Sequence, residues 1–207
     1  MSVTLNDIAE KAGVSVSTVS RVLNSKSRSF RISPKTEQLV MDAAKELNYV
    51  PNQLARGLRL KKTHTIGLVV PDISNPFFAH VTRVIQKYAY ESGYSLIVCN
   101  TDENLETEIE QINLLRSKGV DGFIIMPVGV EPGHLLELQK LNIPLVLLDR
   151  CFEEMSANSV VTDNFAGTYE ATNYLIKEGH ERIAIIQGLN NTSTNSERVK
   201  GYMSALT

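Results

Sequence analysis

From residue 65 onward, short apolar runs alternate with longer amphipathic segments, and this alternation limits the possible fold more than any other feature of the chain. Short continuous apolar runs bounded by turn residues are typical of strands that are buried on both faces. The predicted strands cover residues 66–70, 95–98, 122–126 and 145–148, and the predicted helices cover residues 77–92, 106–118 and 134–140. Strands and helices that alternate in this way form a parallel sheet with helices on both faces, joined by right-handed crossovers.

The alternation changes after residue 148. Residues 149–159 are acidic, lack helical periodicity and are too few for a packed crossover helix. We therefore expect the chain to enter a second α/β subdomain over residues 159–207, with strands at 160–162 and 183–187 and helices at 164–178 and from about Ser196. Two strands cannot bury both faces of a sheet, so this subdomain is predicted to be incomplete and the chain to be cut short.

The first 24 residues predict two short helices joined by a glycine turn. Residues 5–12 carry apolar side chains at i, i+3, i+4 and i+7, and Gly13 suits the left-handed conformation that ends a helix. Ser15 can cap a second helix, whose apolar side comprises Val16, Val19, Val22 and Leu23 and whose polar side comprises Ser17, Thr18, Ser20 and Arg21. Hydroxyls suit phosphate oxygens and a guanidinium suits both acceptors of guanine, which favours a DNA-binding helix-turn-helix. An ordinary helical core with the same spacing is the alternative.

A third helix and a short basic segment follow. Ser33 and Pro34 are typical first residues of a helix, which we expect to end before the sequence NYVP at residues 48–51. Its apolar stripe comprises Leu39, Val40, Ala43, Ala44 and Leu47. Residues 52–60 have helical spacing but few apolar partners, and an isolated helix of two turns is marginal in water, so a plain linker is the alternative for this segment. The predicted organisation is a helical domain over residues 1–50, a hinge or linker over 51–62 and a first α/β subdomain over 63–158.

Charge divides the chain into a basic head and an acidic body. Residues 1–62 hold 11 Lys and Arg against 5 Asp and Glu, whereas residues 63–207 hold 10 against 18. The overall net charge of −2 hides this asymmetry. It indicates a nucleic-acid contact confined to one end of the protein, although small helical domains are often mildly basic.

Three segments resemble the LacI/GalR family of transcriptional regulators, to which the lactose and purine repressors belong. They read TLNDIAEKAGVSVSTVSRVLN, SPKTEQLVMDAAKELNYVPNQLARGLR and THTIGLVVPDISNPFF, and the resemblance runs from Val3 to the last residue. It implies an all-α helix-turn-helix domain followed by an α/β domain like that of periplasmic binding proteins. It also implies a homodimeric repressor that binds a two-fold site on double-stranded DNA under the control of a small effector, a sugar or a purine-like metabolite. Residues 25–31 depart from the family, because this loop is about three residues longer than usual.

The resemblance assigns roles to individual residues. Base contacts fall to Val16, Ser17 and Arg21, and phosphate contacts fall to Thr4, Ser15, Thr18, Ser20 and Asn24. Asn52, Ala55 and Leu58 fall in a hinge helix that orders on DNA, with Leu58 as the wedge between base pairs. Effector contacts fall to Asn75, Phe77, Phe78, Asp149 and Arg198, and the dimer interface falls to the helix over residues 77–88.

The loop over residues 71–78 also favours a ligand site without the resemblance. Ligands of open α/β sheets bind beyond the carboxyl ends of the strands, and this loop follows the first strand. Its two adjacent aromatic residues, Phe77 and Phe78, suit stacking against a sugar or purine ring. The alternative is that Asn75 and Pro76 only begin a helix and that both phenylalanines belong to the core.

Other function classes lack their sequence signatures. No strand is followed by a GxGxxG or P-loop motif, and the four histidines and two cysteines show no metal-binding spacing. We therefore expect no enzymatic activity, no cofactor and no metal. A sugar-binding protein without a DNA role is the main alternative, but the polar start is unlike a secretory signal and no apolar run is long enough to span a membrane. The expectation is a cytoplasmic repressor.

Overall fold

The structure, a computed structural model, describes residues 3–50, 62–190 and 192–207. The chain divides into two compact units, Met1–Arg56 and Gly57–Thr207. The predicted hinge residues Asn52, Ala55 and Leu58 lie outside the described residues.

The described part of the first unit is helical, and its α-helices form where the sequence predicts them. They are α1 (Leu5–Ala12), α2 (Val16–Leu23) and α3 (Pro34–Glu46), with a short 3-10 helix at Arg28–Phe30 before α3. Thr4 caps α1 by accepting a hydrogen bond from the backbone N–H of Asp7, while the Asp7 carboxylate accepts from the backbone N–H of Thr4. Gly13 ends α1 in the left-handed conformation, with φ of 64°, which allows the tight turn into α2.

The core of the first unit is built from the predicted stripes of the three helices. Its fully buried centre comprises Ile8, Val19 and Val40. Two side chains that we assigned to the buried stripes, Val16 and Leu39, are instead exposed. Both residues fit the apolar spacing of their helix, but they lie at the edge of the apolar stripe. Because only about a third of a helix circumference faces a core this small, side chains at the edge of the stripe remain exposed.

The second unit contains a five-stranded parallel sheet among its described residues, in the order β2-β1-β3-β4-β5. The strands are β1 (Thr65–Val70), β2 (Ser95–Asn100), β3 (Gly122–Ile125), β4 (Leu145–Leu148) and β5 (Asn158–Val160). The helices are α4 (Pro76–Glu91), α5 (Leu105–Ser117), α6 (Gly133–Lys140), α7 (Asn164–Lys177) and α8 (Ser193–Leu206). The predicted doubly wound α/β fold is therefore confirmed.

Apolar clusters lie on both faces of this sheet, because successive strand residues point to opposite faces. Leu68 and Val70 of β1 pack with Phe78 of α4 on one face. Val69 packs on the other face with Leu115 of α5 and other residues of α5 and α6. Apolar side chains thus cover both faces of the central strand β1.

Two predicted strands behave differently from the prediction. We expected residues 160–162 to open a second subdomain, but Asn158–Val160 pairs with β4 and extends the first sheet past the predicted boundary at residue 158. Residues 183–187 form no strand in the described structure. A strand of a parallel sheet forms only where a neighbouring strand pairs with it. In this segment, the Ile183 carbonyl accepts a hydrogen bond from the Tyr202 hydroxyl instead, at 2.7 Å.

Candidate functional site

One face of α2 gathers five of the residues predicted to contact DNA. Helical spacing places Val16, Ser17, Ser20, Arg21 and Asn24 on one side of the α2 axis, away from the buried residues of the same helix. Val16, Ser17 and Arg21, the residues expected to contact bases, are all exposed. The helix has no acidic residue in its first turn or elsewhere. This face offers donors and a positive charge to an anionic partner.

The hydroxyls at the start of α1 and α2 are held by local hydrogen bonds. The Ser15 hydroxyl accepts from the backbone N–H of Thr18 at 3.2 Å and lies 2.9 Å from the hydroxyls of both Ser17 and Thr18. The Asp7 carboxylate accepts from the backbone N–H of Thr4 at 2.7 Å and from the Thr4 hydroxyl at 2.8 Å, and these two hydrogen bonds hold the pKa of Asp7 below its ordinary value. Thr4 and Ser15, two of the residues expected to bind phosphates, therefore serve first as helix caps, which fixes the positions of their hydroxyls and of the adjacent backbone N–H groups.

A cavity of about 470 Å³ in the α/β unit brings together all five residues predicted to contact an effector, Asn75, Phe77, Phe78, Asp149 and Arg198. Its other lining residues include Glu103, Arg150, Thr162 and Asn195. The lining comes from the loops that follow β1, β2, β4 and β5, from the segment before α8 and from the first half of α8. Carboxyl ends of parallel strands meet at one edge of the sheet, and this explains why residues so distant in sequence converge. The volume is in the range of small-molecule sites.

The two phenylalanines contribute differently to this cavity. Phe78 is buried and packs against Leu68 and Val70, so for this ring the core interpretation also holds. Phe77 is half-exposed and meets the Phe78 ring edge-on, with centroids 5.2 Å apart. Asn75 caps α4 by accepting from the backbone N–H of Phe77 at 3.0 Å. Phe77 is therefore the ring that a ligand can reach.

An ion pair that our sequence reasoning missed forms one wall of the cavity. Arg150 is buried and its guanidinium donates to both carboxylate oxygens of Glu103, at 2.6 and 2.7 Å. The same guanidinium donates to the Pro127 carbonyl at 3.3 Å, and its buried Nε has no hydrogen-bond partner among the described residues. Glu103 and Arg150 follow β2 and β4, so their position after strands was a signal that could have found them. The two parallel hydrogen bonds of this ion pair fix the positions of both charged groups in the cavity wall.

Asp149 is a partly buried acid in the wall of the cavity. Its backbone lies in the left-handed region, with φ of 64°, and its N–H donates to the Val160 carbonyl at 2.9 Å. Burial raises the pKa of Asp149 above its ordinary range, and the nearby Arg150 and Arg198 oppose this rise. Arg198 itself is exposed and donates from Nε to the Asn164 side chain at 2.8 Å. The cavity thus presents carboxylates and guanidinium groups to any ligand.

The raised pKa of Asp149 predicts a pH dependence of stability. An acid whose pKa is higher in the folded state stabilises the fold below its unfolded pKa, and this contribution is lost as pH rises through the folded value. We expect the free energy of unfolding of the wild type to fall relative to that of Asp149→Asn as pH rises from below about 4. Denaturant unfolding at several pH values measures this difference.

Asp72 provides the matched control for this measurement. It is only partly buried, and hydrogen bonds from the Ser74 hydroxyl and backbone N–H lower its pKa. The difference between wild type and Asp72→Asn should therefore change with pH in the opposite direction. Equal slopes for the two variants would contradict the burial of Asp149.

The described residues contain no group of His, Cys, Asp and Glu arranged to hold a metal ion. None of the helices in residues 3–50, 62–190 and 192–207 is long and apolar enough to cross a membrane.

Comparison with known proteins connects these two units to one family. The model for bacterial regulatory proteins of the lacI family matches residues 4–52. The model for periplasmic binding proteins and the sugar-binding domain of the LacI family matches residues 63–207. The chain belongs to the LacI family. The predicted family and the predicted combination of a helix-turn-helix with a periplasmic-binding-protein-like domain are confirmed.

Characterised members of the LacI family align along almost the whole chain. The ribose operon repressor of Halalkalibacterium halodurans is 41% identical over 96% of this chain and 58% of its own length. The repressor PurR of Photobacterium profundum is 38% identical over 98% of this chain and 60% of its own length. A solved structure of the lac repressor dimer bound to operator and the anti-inducer ONPF superposes with a TM-score of 0.87, at 29% identity, over 100% of this chain and 62% of that chain. The chain thus spans about three fifths of the length of these relatives.

Proposed function

We propose that the chain acts as a sequence-specific DNA-binding transcriptional repressor, in the cytoplasm, whose affinity for DNA is controlled by a small metabolite. The observation that carries this proposal is the exposed face of α2, on which Arg21 and short polar side chains lie together without an acidic neighbour on the helix. Relatives that match both units of the chain are named as repressors.

The residues that would hold the DNA are those of the α2 face and the two helix caps. Arg21 has the fork of donors that pairs with the two acceptors of guanine in the major groove. Val16 and Ser17 are too short for paired base contacts and suit a thymine methyl or a water-mediated contact. Thr4, Ser15, Thr18, Ser20 and Asn24 remain the candidates for phosphate contacts, and Asn52, Ala55 and Leu58 remain candidates for the hinge.

The effector would bind in the cavity at the carboxyl ends of the strands. Its lining combines an accessible ring, Phe77, with the charged groups of Asp149 and Arg198. An aromatic face and hydrogen-bonding groups of both signs suit a sugar or a purine-like molecule, and relatives are named for the ribose operon and for PurR. An effector that favours one conformation by about 1–3 kcal/mol is sufficient to change DNA occupancy substantially.

Two-fold DNA sites require a two-fold protein, and we propose a homodimer. Its interface would include the α4 helix, where Val84 and Tyr88 lie one turn apart and are exposed. Ile97 and Val98 of the edge strand β2 are exposed as well. These exposed apolar side chains lie on α4 and on β2, which follows α4 in the sequence. They suit a self-complementary contact between two copies of the chain.

Selection of binding sites from random duplex DNA tests the proposal, with Arg21→Ala as the informative variant. We expect the wild type to recover a two-fold site. Arg21→Ala should bind that site about 2 kcal/mol more weakly and lose preference at one base pair of each half-site, because one paired base contact is removed. Affinities for the selected site and for a scrambled duplex, each measured at two salt concentrations, give the result.

The control is Lys45→Ala, which removes one positive charge from the exposed surface of α3 in the same unit. It should leave the base preference unchanged. Recovery of no preferred site by the wild type would overturn the proposed function. Equal weakening of Arg21→Ala on all duplexes would remove Arg21 from base reading.

A further inference from the structure

The loop between α2 and α3 is longer than in the resembled family, and it places an aromatic ring on the arginine expected to read DNA. The Cζ of Arg21 lies 4.1 Å from the centroid of the Phe30 ring. This distance is well within the range in which a guanidinium is attracted to an aromatic face. Phe30 itself is about half exposed, at 48%. The ring therefore contributes little to the core, and its close neighbour is the cation.

Backbone contacts fix the path that brings this ring to α2. The N–H of Lys26 donates to the Arg21 carbonyl at 2.9 Å, and the N–H of Phe30 donates to the Lys26 carbonyl at 3.2 Å. The N–H of Ile32 donates to the carbonyl of the buried Ser27 at 3.0 Å, and Ile32 packs against the helical core. The loop backbone is thus anchored on both sides of Phe30, which places the ring beside Arg21.

The sequence around Arg21 provides no carboxylate to pair with its guanidinium. Residues 11–36 contain six Lys and Arg and no Asp or Glu. Within the described part of the chain, none of the ion pairs and side-chain hydrogen bonds involves the Arg21 guanidinium. A guanidinium is planar: its face stacks on a ring while its N–H edge donates in the plane. Stacking on Phe30 therefore leaves free the edge that pairs with guanine.

We infer that Phe30 is a positioning residue, which holds the Arg21 guanidinium in the orientation that reads a base and so sharpens sequence preference. The inference rests on the proposed function, since it gives Arg21 its role in reading DNA. A long flexible side chain loses rotamer freedom when it binds, and a side chain that is already stacked loses less of it on the DNA. The longer loop would thereby act on specificity without touching a base.

The test compares Phe30→Ala, Phe30→Leu and Phe30→Tyr. Leucine keeps the apolar bulk without an aromatic face, and tyrosine keeps the face. The quantity measured is the ratio of the affinity for the selected site to the affinity for a scrambled duplex. We expect Phe30→Ala and Phe30→Leu to lower this ratio about two- to five-fold, and Phe30→Tyr to keep the wild-type ratio. The salt dependence of binding should stay unchanged in all three, because no charge is removed. Thermal unfolding by circular dichroism confirms that the helical unit remains folded.

Two further measurements separate this inference from the proposed function. In a double-mutant cycle, Phe30→Ala should have no further effect once Arg21 is alanine. In the DNA-free protein, NMR should show ring-current shifts of the Arg21 side chain that disappear in Phe30→Ala. A wild-type ratio in Phe30→Leu, an effect that persists without Arg21, or no ring-current shift would each overturn the inference while leaving selective DNA binding in place. A wild type without any preferred site would overturn both, whether or not the ring-current shift is present.

Discussion

Replacement of Glu108 with alanine is expected to lower the free energy of unfolding of the α/β unit by about 3–5 kcal/mol. The Glu108 side chain on α5 is fully buried, with 0% exposed. One carboxylate oxygen accepts from the backbone N–H of Val128 at 2.9 Å, and the other lies 2.6 Å from Nε2 of His134. The carboxylate therefore connects α5, the loop after β3 and the start of α6. Alanine would leave a cavity, a buried N–H and an imidazole without their partner.

Two control variants make this result specific. Glu108→Gln keeps the shape and a hydrogen-bonding group for each partner, so it should cost less than half as much as alanine. Glu110→Ala removes a carboxylate from the exposed side of the same helix and should change stability by no more than about 0.5 kcal/mol. Denaturant unfolding of the 207-residue chain, followed by circular dichroism, measures all three. Equal stability of Glu108→Ala and Glu110→Ala would mean that the buried carboxylate does not tie these elements together.

Local patterns were sufficient to predict most helices and strands of this chain. The cap residues Ser15 and Ser33, the glycine turn at Gly13 and the stripe through Ile8 act within one or two helical turns, so the sequence shows them directly. Asp163 caps α7 in the same local way, since its carboxylate accepts from the backbone N–H of Ala166 at 2.9 Å. The candidate effector residues converge because parallel strands bring their carboxyl ends to one edge, which topology alone dictates.

Features that depend on distant partners were not predictable in the same way. The Arg150–Glu103 pair joins residues 47 positions apart, and only the order of β2 and β4 in the sheet places them together. Residues 183–187 have the composition of a strand, but pairing requires a neighbour that composition cannot supply. The path of the loop that sets Phe30 on Arg21 arises from backbone hydrogen bonds of an irregular segment, for which periodicity carries no signal.

The position of Arg198 beside the cavity depends on how closely α8 approaches α7. Arg198 lies one turn before Gly201 on α8, and its Nε donates to Asn164 at the start of α7, at 2.8 Å. Gly201 is buried, and a Cβ at this position would clash with the carbonyl oxygen of Phe165. Because that oxygen belongs to the backbone, no side-chain rotation can relieve the clash. The close approach of the two helices therefore requires glycine.

Gly201→Ala is expected to destabilise the α/β unit by about 3 kcal/mol, at the upper end of the cost of overpacking. Helix propensity alone predicts the opposite change in stability, since it favours alanine over glycine by about 1 kcal/mol in a helix interior. Gly167→Ala on α7 is the matched control: a Cβ there meets nothing within 4 Å, so it should stabilise the helix by about 0.5–1 kcal/mol. Opposite signs for the two substitutions, measured by denaturant unfolding, would show that backbone contact between α7 and α8 outweighs propensity at Gly201. A stabilising Gly201→Ala would mean that the helices separate at little cost, and Arg198 would then lack a fixed position at the cavity.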